Sequence, residues 1–248
     1  MTRWRAAGLH LLISVGVAAL ALALMLGLMY PIEYFRASGG QKLLLILVFV
    51  DVVIGPLLTL IVFKSGKPSL RFDLAVIGLL QLAALLYGLW VVVQARPAFI
   101  VHVGDRFHLV RANELAPEQL ATGAEERFQT LSYLGPRLTV ALRPLNLQRQ
   151  QELMMAAMSG ADLQYFPETY ADYEANAYVV LARAQDAAAL LARRPDDTVA
   201  VTKYLEREQI AVDAVAVVPL KVGDNFLTAL VDAETAELLR VFPIDPWD

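Results

Sequence analysis

The chain has no cysteine and only three histidines, His10, His102 and His108. Without cysteine there is no CxxC site, and an oxidising compartment is neither required nor excluded. HExxH, GxSxG and a phosphate-cradling glycine loop are also missing, so no familiar catalytic signature is present. A metal pair at His102 and His108 is disfavoured by geometry. With Gly104–Asp105 as a two-residue turn, His102 faces Phe107 and Val101 faces His108. Cross-strand partners share a sheet face and neighbours alternate, so the two imidazoles point to opposite faces. Basic residues are scarce after Arg96, where thirteen stand against twenty-two acidic ones, a net of −9. That balance argues against nucleic acid as a partner, because phosphate binding needs clustered Lys and Arg. There is no internal repeat, low-complexity tract or long flexible linker.

What is abundant is apolar sequence, 57% of residues, and it is concentrated before residue 94. About 20 apolar residues cross the hydrocarbon core of a bilayer. Residues 9–30, 43–63 and 74–93 each meet that length. Arg3 and Arg5 precede the first run, as in a signal peptide, but signal-peptide apolar regions extend only about 7–15 residues. This run continues to Met29–Tyr30, ends at Pro31 and has no clean small-residue cleavage site, so it reads as an uncleaved span. The short flanks set orientation, since basic short loops stay cytoplasmic. The N-terminus carries Arg3 and Arg5, the 64–73 loop carries Lys64, Lys67 and Arg71, and the 31–42 loop only Arg36 and Lys42. The N-terminus and the 64–73 loop are therefore expected inside, and everything after Arg96 outside.

Asp51 is the sharpest single residue. A carboxylate near the membrane centre costs about 2.5–3.5 kcal/mol on insertion scales, so it faces a partner or a cavity. One reading is a contact with another transmembrane helix, or a proton-linked step. The other is a hydrogen bond inside the bundle, for which Gln81 on the antiparallel third span is a suitable donor. Gly55–Pro56 removes one backbone donor, clashes with the carbonyl of Val52 and predicts a kink. Tyr87 and Trp90 fit an interfacial aromatic belt.

Residues 97–248 read as a separate α+β domain of ordinary size. FIVHV, Gly104–Asp105 and RFHLV predict a hairpin. Helices are predicted over 117–130, 147–158, 178–194 and 198–209, with Gly160 stopping the second. Strands are predicted at 137–143 and in VAVVPLKV, NFLTALVD and ELLRVFPI at the end. Tyr165, Phe166, Tyr170 and Tyr173 cluster with Tyr178 and form a candidate interface, since aromatic side chains with polar handles suit one. Packing of that domain's core is the competing explanation.

The run 51–88 is similar to a known family. Asp51 with Gly55–Pro56–Leu57–Leu58–Thr59, then Lys64, Lys67, Ser69–Leu70, Phe72–Asp73–Leu74, Gln81 and Tyr87–Gly88 together resemble the type IV pilin accessory proteins, the TfpX/TfpZ group. ARP at 95–97, the RF…ANEL segment at 106–115 and HLLIS at 10–14 also look like that family, so the resemblance covers roughly residues 1–115. It implies a bacterial inner-membrane, non-enzymatic, cofactor-free accessory that assists a cognate major pilin in a chaperone-like way. The partners implied are the pilin's membrane helix, its periplasmic head, or both, besides the lipid bilayer. Asp51, Gly55, Pro56, Lys64, Phe72, Asp73, Gln81, Tyr87 and Gly88 are the motif residues and candidate partner contacts. The expected fold is thus a membrane protein with three N-terminal transmembrane α-helices, residues 1–96, followed by an extracytoplasmic α+β domain, 97–248. A membrane-anchored ligand sensor is the alternative, but it would need a cytoplasmic output domain that this sequence lacks.

Overall fold

The computed structural model describes residues 2–37 and 40–247; Ser38–Gly39, in the 31–42 connection, and the side chains of Lys42, Leu43 and Leu47 lie outside that description. The chain divides into two compact units, Met1–Ala95 and Arg96–Asp248.

The first unit is helical. Helix α1 (Arg3–Leu24) starts where Thr2 accepts a hydrogen bond from the Arg5 N–H, 3.3 Å, a side-chain N-cap. It runs on as a π-helical turn, Met25–Met29, and stops at Tyr30, which is extended because Pro31 follows. A short α2 (Ile32–Ala37) precedes α3 (Gly40–Val48), a second π-helical turn (Phe49–Ile54), α4 (Gly55–Val62) and the long α5 (Leu70–Gln94). Three continuous apolar helices result: Arg3–Met29, Leu44–Val62 and Leu70–Gln94, of 27, 19 and 25 residues. At 1.5 Å per residue these are roughly 40, 28 and 37 Å long, against a hydrocarbon core of about 30 Å. α1 packs on α4. The buried residues of the two helices are small, Ala6, Ala7 and Ser14 on one and Gly55, Pro56 and Thr59 on the other. Small side chains let apolar helices approach closely.

The second unit is built on a mixed sheet. In chain order its elements are β1 (Pro97–Val103), β2 (Arg106–Arg111), α6 (Pro117–Leu120), β3 (Arg137–Ala141), α7 (Leu147–Met158), β4 (Tyr170–Ala171), α8 (Ala177–Leu181), β5 (Gln185–Asp186), α9 (Ala187–Arg193), α10 (Val199–Glu208), β6 (Val215–Val222), β7 (Asn225–Asp232) and β8 (Leu238–Phe242). Among the described residues the sheet has eight strands in the order β4-β3-β1-β2-β6-β7-β8, with β5 also paired to β6. β1 runs parallel to β3, and β2 parallel to β6; the remaining pairs are antiparallel. The β1–β2 and β6–β7 hairpin turns begin with a left-handed glycine, Gly104 at φ +66° and Gly223 at φ +60°, a conformation that glycine adopts without strain. The β1–β2 register pairs His102 with Phe107 and Val101 with His108, as the two-residue turn requires. Phe99, Val101, Val110, Leu115, Phe128 and Tyr170 form one buried cluster; Leu190, Val201, Leu205, Val217, Leu230 and Phe242 form another.

Two helix expectations are corrected. The 117–130 helix reduces to α6, because Thr122–Gly123 break it and Gly123 lies so close to Phe128 that a Cβ would come within 3.0 Å of its backbone. The 178–194 helix splits into α8 and α9. Between them Gln185–Asp186 pair with Val217–Ala216, and Asp186 caps α9 by accepting from the Ala188 N–H, 2.8 Å. An aspartate that can bond its own backbone favours a helix start over a helix interior.

Candidate functional site

Polar atoms in the apolar helices are few, and they gather. In the π-helical turn the Gly55 N–H reaches back five residues to the Val50 carbonyl. In that register the next amide would serve Asp51, but the next residue is Pro56, which has no N–H. The Asp51 carbonyl is therefore left without a main-chain donor in this register. Gln81 on α5 supplies the missing donor: its Nε2–H donates to the Asp51 main-chain oxygen, 3.1 Å. The expected Gln81 partnership with Asp51 thus exists, but through the backbone rather than the carboxylate. Gly55 makes it feasible. A Cβ there would lie 1.9 Å from Gln81 Nε2 and 2.5 Å from its Cδ. Asp51, Gly55, Pro56 and Gln81 are one constellation, in which glycine, proline and glutamine each have a structural reason.

The Asp51 side chain is left to other uses. The residue is 7% exposed and its Oδ1 is buried without a hydrogen-bond partner. Nearby, the Thr59 hydroxyl and His10 Nδ1 share a hydrogen bond of 2.6 Å. All three apolar helices thus contribute a polar side chain to this region. Spacing along the chain gives no hint of the His10–Thr59 pair, although a histidine inside an apolar run is itself a costly choice.

Beside this cluster the helical unit forms a partly open cavity of about 230 Å³. Its lining includes Met25, Tyr30, Asp51, Tyr87, Gly88 and Val92. Asp51 is the ionisable carboxylate in an otherwise apolar wall. Met25, Tyr30 and Phe35 form a small core beside it, with the Tyr30 and Phe35 rings edge-on at 5.7 Å, and the Tyr30 hydroxyl donates to the Ala95 carbonyl. The motif residues Lys64, Phe72 and Asp73 lie elsewhere, around the α4–α5 connection. There Asp73 pairs with Lys67 at 2.5 Å and accepts from the Ser69 hydroxyl at 3.1 Å, while Phe72 is exposed.

In the second unit the aromatic cluster divides. Tyr170 and Tyr173 are core residues, so the surface expectation is corrected for both. The Tyr170 ring stacks edge-on against Phe99 and Phe128, and its hydroxyl donates to the Gln164 carbonyl. The Tyr173 hydroxyl donates to the Ala236 carbonyl, 2.7 Å. Burial raises the pKa of both phenols above the ordinary value. Tyr165 and Phe166 are half-buried and Tyr178 is exposed. His102 and His108 sit on opposite faces, and burial lowers each to about 4, so both are neutral near pH 7. Among the described residues no three His, Asp or Glu side chains are placed to hold a metal ion.

Fold and site together define a class: three apolar helices of membrane-crossing length, with an acidic group in an apolar cavity, joined to a mixed-sheet domain. The family is shown by comparison with known proteins. The family model of the fimbrial assembly protein FimB matches residues 1–39. The fimbrial assembly protein of serogroup I from Dichelobacter nodosus is 30% identical over 168 residues, 67% of this chain and 65% of that protein. That of serogroup E1 from the same organism is 28% identical over the same shares. That of serogroups C1 and C2 is 32% identical over 115 residues, 46% of this chain and 88% of the relative. The chain belongs to the fimbrial assembly protein family. It spans about 65% of the length of the first two relatives. No solved structure matches it.

Proposed function

We propose that this chain is an inner-membrane accessory protein that assists a type IV fimbrial subunit, the pilin, on its way into the fibre. Kinship with fimbrial assembly proteins carries the reading. The three apolar helices cross the membrane, with the N-terminus and the Lys64–Arg71 loop in the cytoplasm and the mixed-sheet domain in the periplasm. Leu12, Leu45, Ile61 and Leu79 are exposed along these helices, an arrangement that suits lipid and not water. In this orientation the cavity belongs to the outer half of the bundle. Asp51 lies seven residues past Leu44, about 10 Å below the outer end of its helix.

A pilin awaiting assembly keeps an apolar helix in the membrane and its head outside. The cavity offers that helix a seat, with Asp51, Tyr87 and Gly88 in its wall and Gly55, Pro56 and Gln81 fixing the wall's shape. Lys64, Phe72 and Asp73 anchor the cytoplasmic turn. Tyr165 and Phe166 remain available to the pilin head. The role is chaperone-like and uses no cofactor. Deleting the gene tests the proposal: fimbriae are expected to be lost while pilin is still made, with recovery when the intact gene is supplied. Normal fimbriation and normal pilin levels in the deletion strain would contradict it.

A further inference from the structure

The third apolar helix leads straight into a contact that pilin handling does not explain. Arg96 follows Gln94 by two residues and is only 3% exposed. Its Nε–H donates to the Ser132 carbonyl, 2.8 Å, and its guanidinium carbon lies 4.0 Å from the centre of the Tyr133 ring. Two residues of chain span at most about 7 Å, so Arg96 cannot leave the neighbourhood of the helix end. The loop it holds cannot either.

That loop is Leu131–Pro136, LSYLGP, and it contains no charged residue. Its tip is shaped before anything binds. The Leu134 N–H donates to Ser132 Oγ, 3.3 Å, Gly135 takes a left-handed φ of +79°, and Arg137 Nη1–H donates to the Thr130 carbonyl, 2.6 Å. Leu131 packs inward against the sheet's core. Tyr133 and Leu134 point outward, 60% and 78% exposed. A tyrosine beside a leucine on an uncharged, pre-formed tip has the composition of a membrane-interface contact, with an apolar body and one polar handle. Tyr87 and Trp90 are exposed near the C-terminal end of α5. The exposed Leu145, Leu147 and Met154 differ: Arg143, Arg149 and Glu152 interrupt them, and no short tether ties them to an apolar helix.

We propose that Tyr133–Leu134 is an interfacial anchor through which the outer domain touches the lipid bilayer. Leu134 enters the boundary between headgroups and acyl chains. Tyr133 lies in that boundary with its hydroxyl toward water, held from behind by the Arg96 guanidinium. The anchor limits how freely the domain tumbles at the membrane surface. The inference rests on the membrane placement proposed above.

Because the chain has no cysteine, a single introduced one can carry an environment-sensitive fluorophore. The full-length protein would be reconstituted in phosphatidylcholine–phosphatidylglycerol vesicles, labelled in turn at Leu134→Cys, Tyr133→Cys, Trp90→Cys and Asp196→Cys. Quenching by lipids carrying a shallow nitroxide would be read for each. The expected result is strong quenching at 90, 133 and 134, at least twice that at 196, with emission shifted to the blue. Quenching at 90 with 133 and 134 behaving like 196 would overturn the anchor and leave the membrane placement intact. Equal, weak quenching at 90 and 196 would overturn the placement, and the anchor with it.

Discussion

The two units invert each other. In the helical unit Leu12, Ile61 and Leu79 are exposed while Ser14, Asp51 and Thr59 are buried. In the sheet unit Val218, Leu220 and Ala229 are fully buried, and charged pairs such as Arg127–Asp172 and Arg207–Glu208 lie outside. In the membrane placement proposed above, the same side-chain chemistry is sorted against two different solvents. The informative residues are the polar ones within the apolar helices, Asp51, Gln81 and His10, and in the second unit a buried imidazole, His102, and an exposed tip, Tyr133–Leu134.

The comparison can be pressed hardest in the sheet core. Leu230→Ala removes a fully buried side chain between α9–α10 and the sheet and is expected to cost about 2–5 kcal/mol. Thermal unfolding of the sheet unit would report it, with no change in the helical signal. Next comes a substitution whose outcome depends on the surroundings. Leu82 is exposed at the middle of α5, so Leu82→Lys in water would change stability by less than about 0.5 kcal/mol. In a bilayer the same change costs about 2.5–3.5 kcal/mol, and a marked fall in membrane-inserted protein is expected.

A third prediction concerns acid. His102 is nine-tenths buried or more, neither ring nitrogen has a protein partner, and its pKa falls to about 4 in the fold. The unfolded chain protonates it near 6.5, so the folded state binds fewer protons between those values and loses stability as pH drops through them. The loss approaches ~3 kcal/mol near pH 4. His102→Phe is expected to flatten that part of the stability–pH curve, which denaturant titration at several pH values would read. The smallest effect belongs to the helical unit. Gln81→Leu removes one interhelical hydrogen bond, worth about 1 kcal/mol in such surroundings. Gly55→Ala is expected to be harmful alone and nearly neutral beside Gln81→Ala, a coupling that a double-mutant cycle detects.

Much of this molecule is legible in its residue pattern. Apolar runs of membrane-crossing length, glycine-led hairpin turns and the opposite facing of His102 and His108 all follow from local spacing. Asp51, Gly55, Pro56 and Gln81 stand out in the sequence, but their connection does not. A proline leaves a different carbonyl unpaired in a π-helical turn than in an α-helix, and nothing local announces the extra residue in the turn. The aromatic cluster at 165–173 misleads for another reason. Spacing alone does not say which tyrosines turn inward, and the hydroxyls of Tyr170 and Tyr173 find backbone carbonyls contributed by the rest of the fold. The His10–Thr59 pair and the Arg96–Tyr133 stack join residues far apart in sequence, where periodicity carries no information.

The measurement that bears most directly on the cavity's role is in-cell photocrosslinking to the pilin. A photoreactive residue would replace Tyr87, which lines the cavity and is exposed, and in a second strain Leu12, which is exposed on α1 away from it. A pilin adduct from position 87 and none from position 12 is the expected result. Pilin adducts of equal yield from both positions, or from neither, would contradict a pilin helix seated in the cavity beside Asp51.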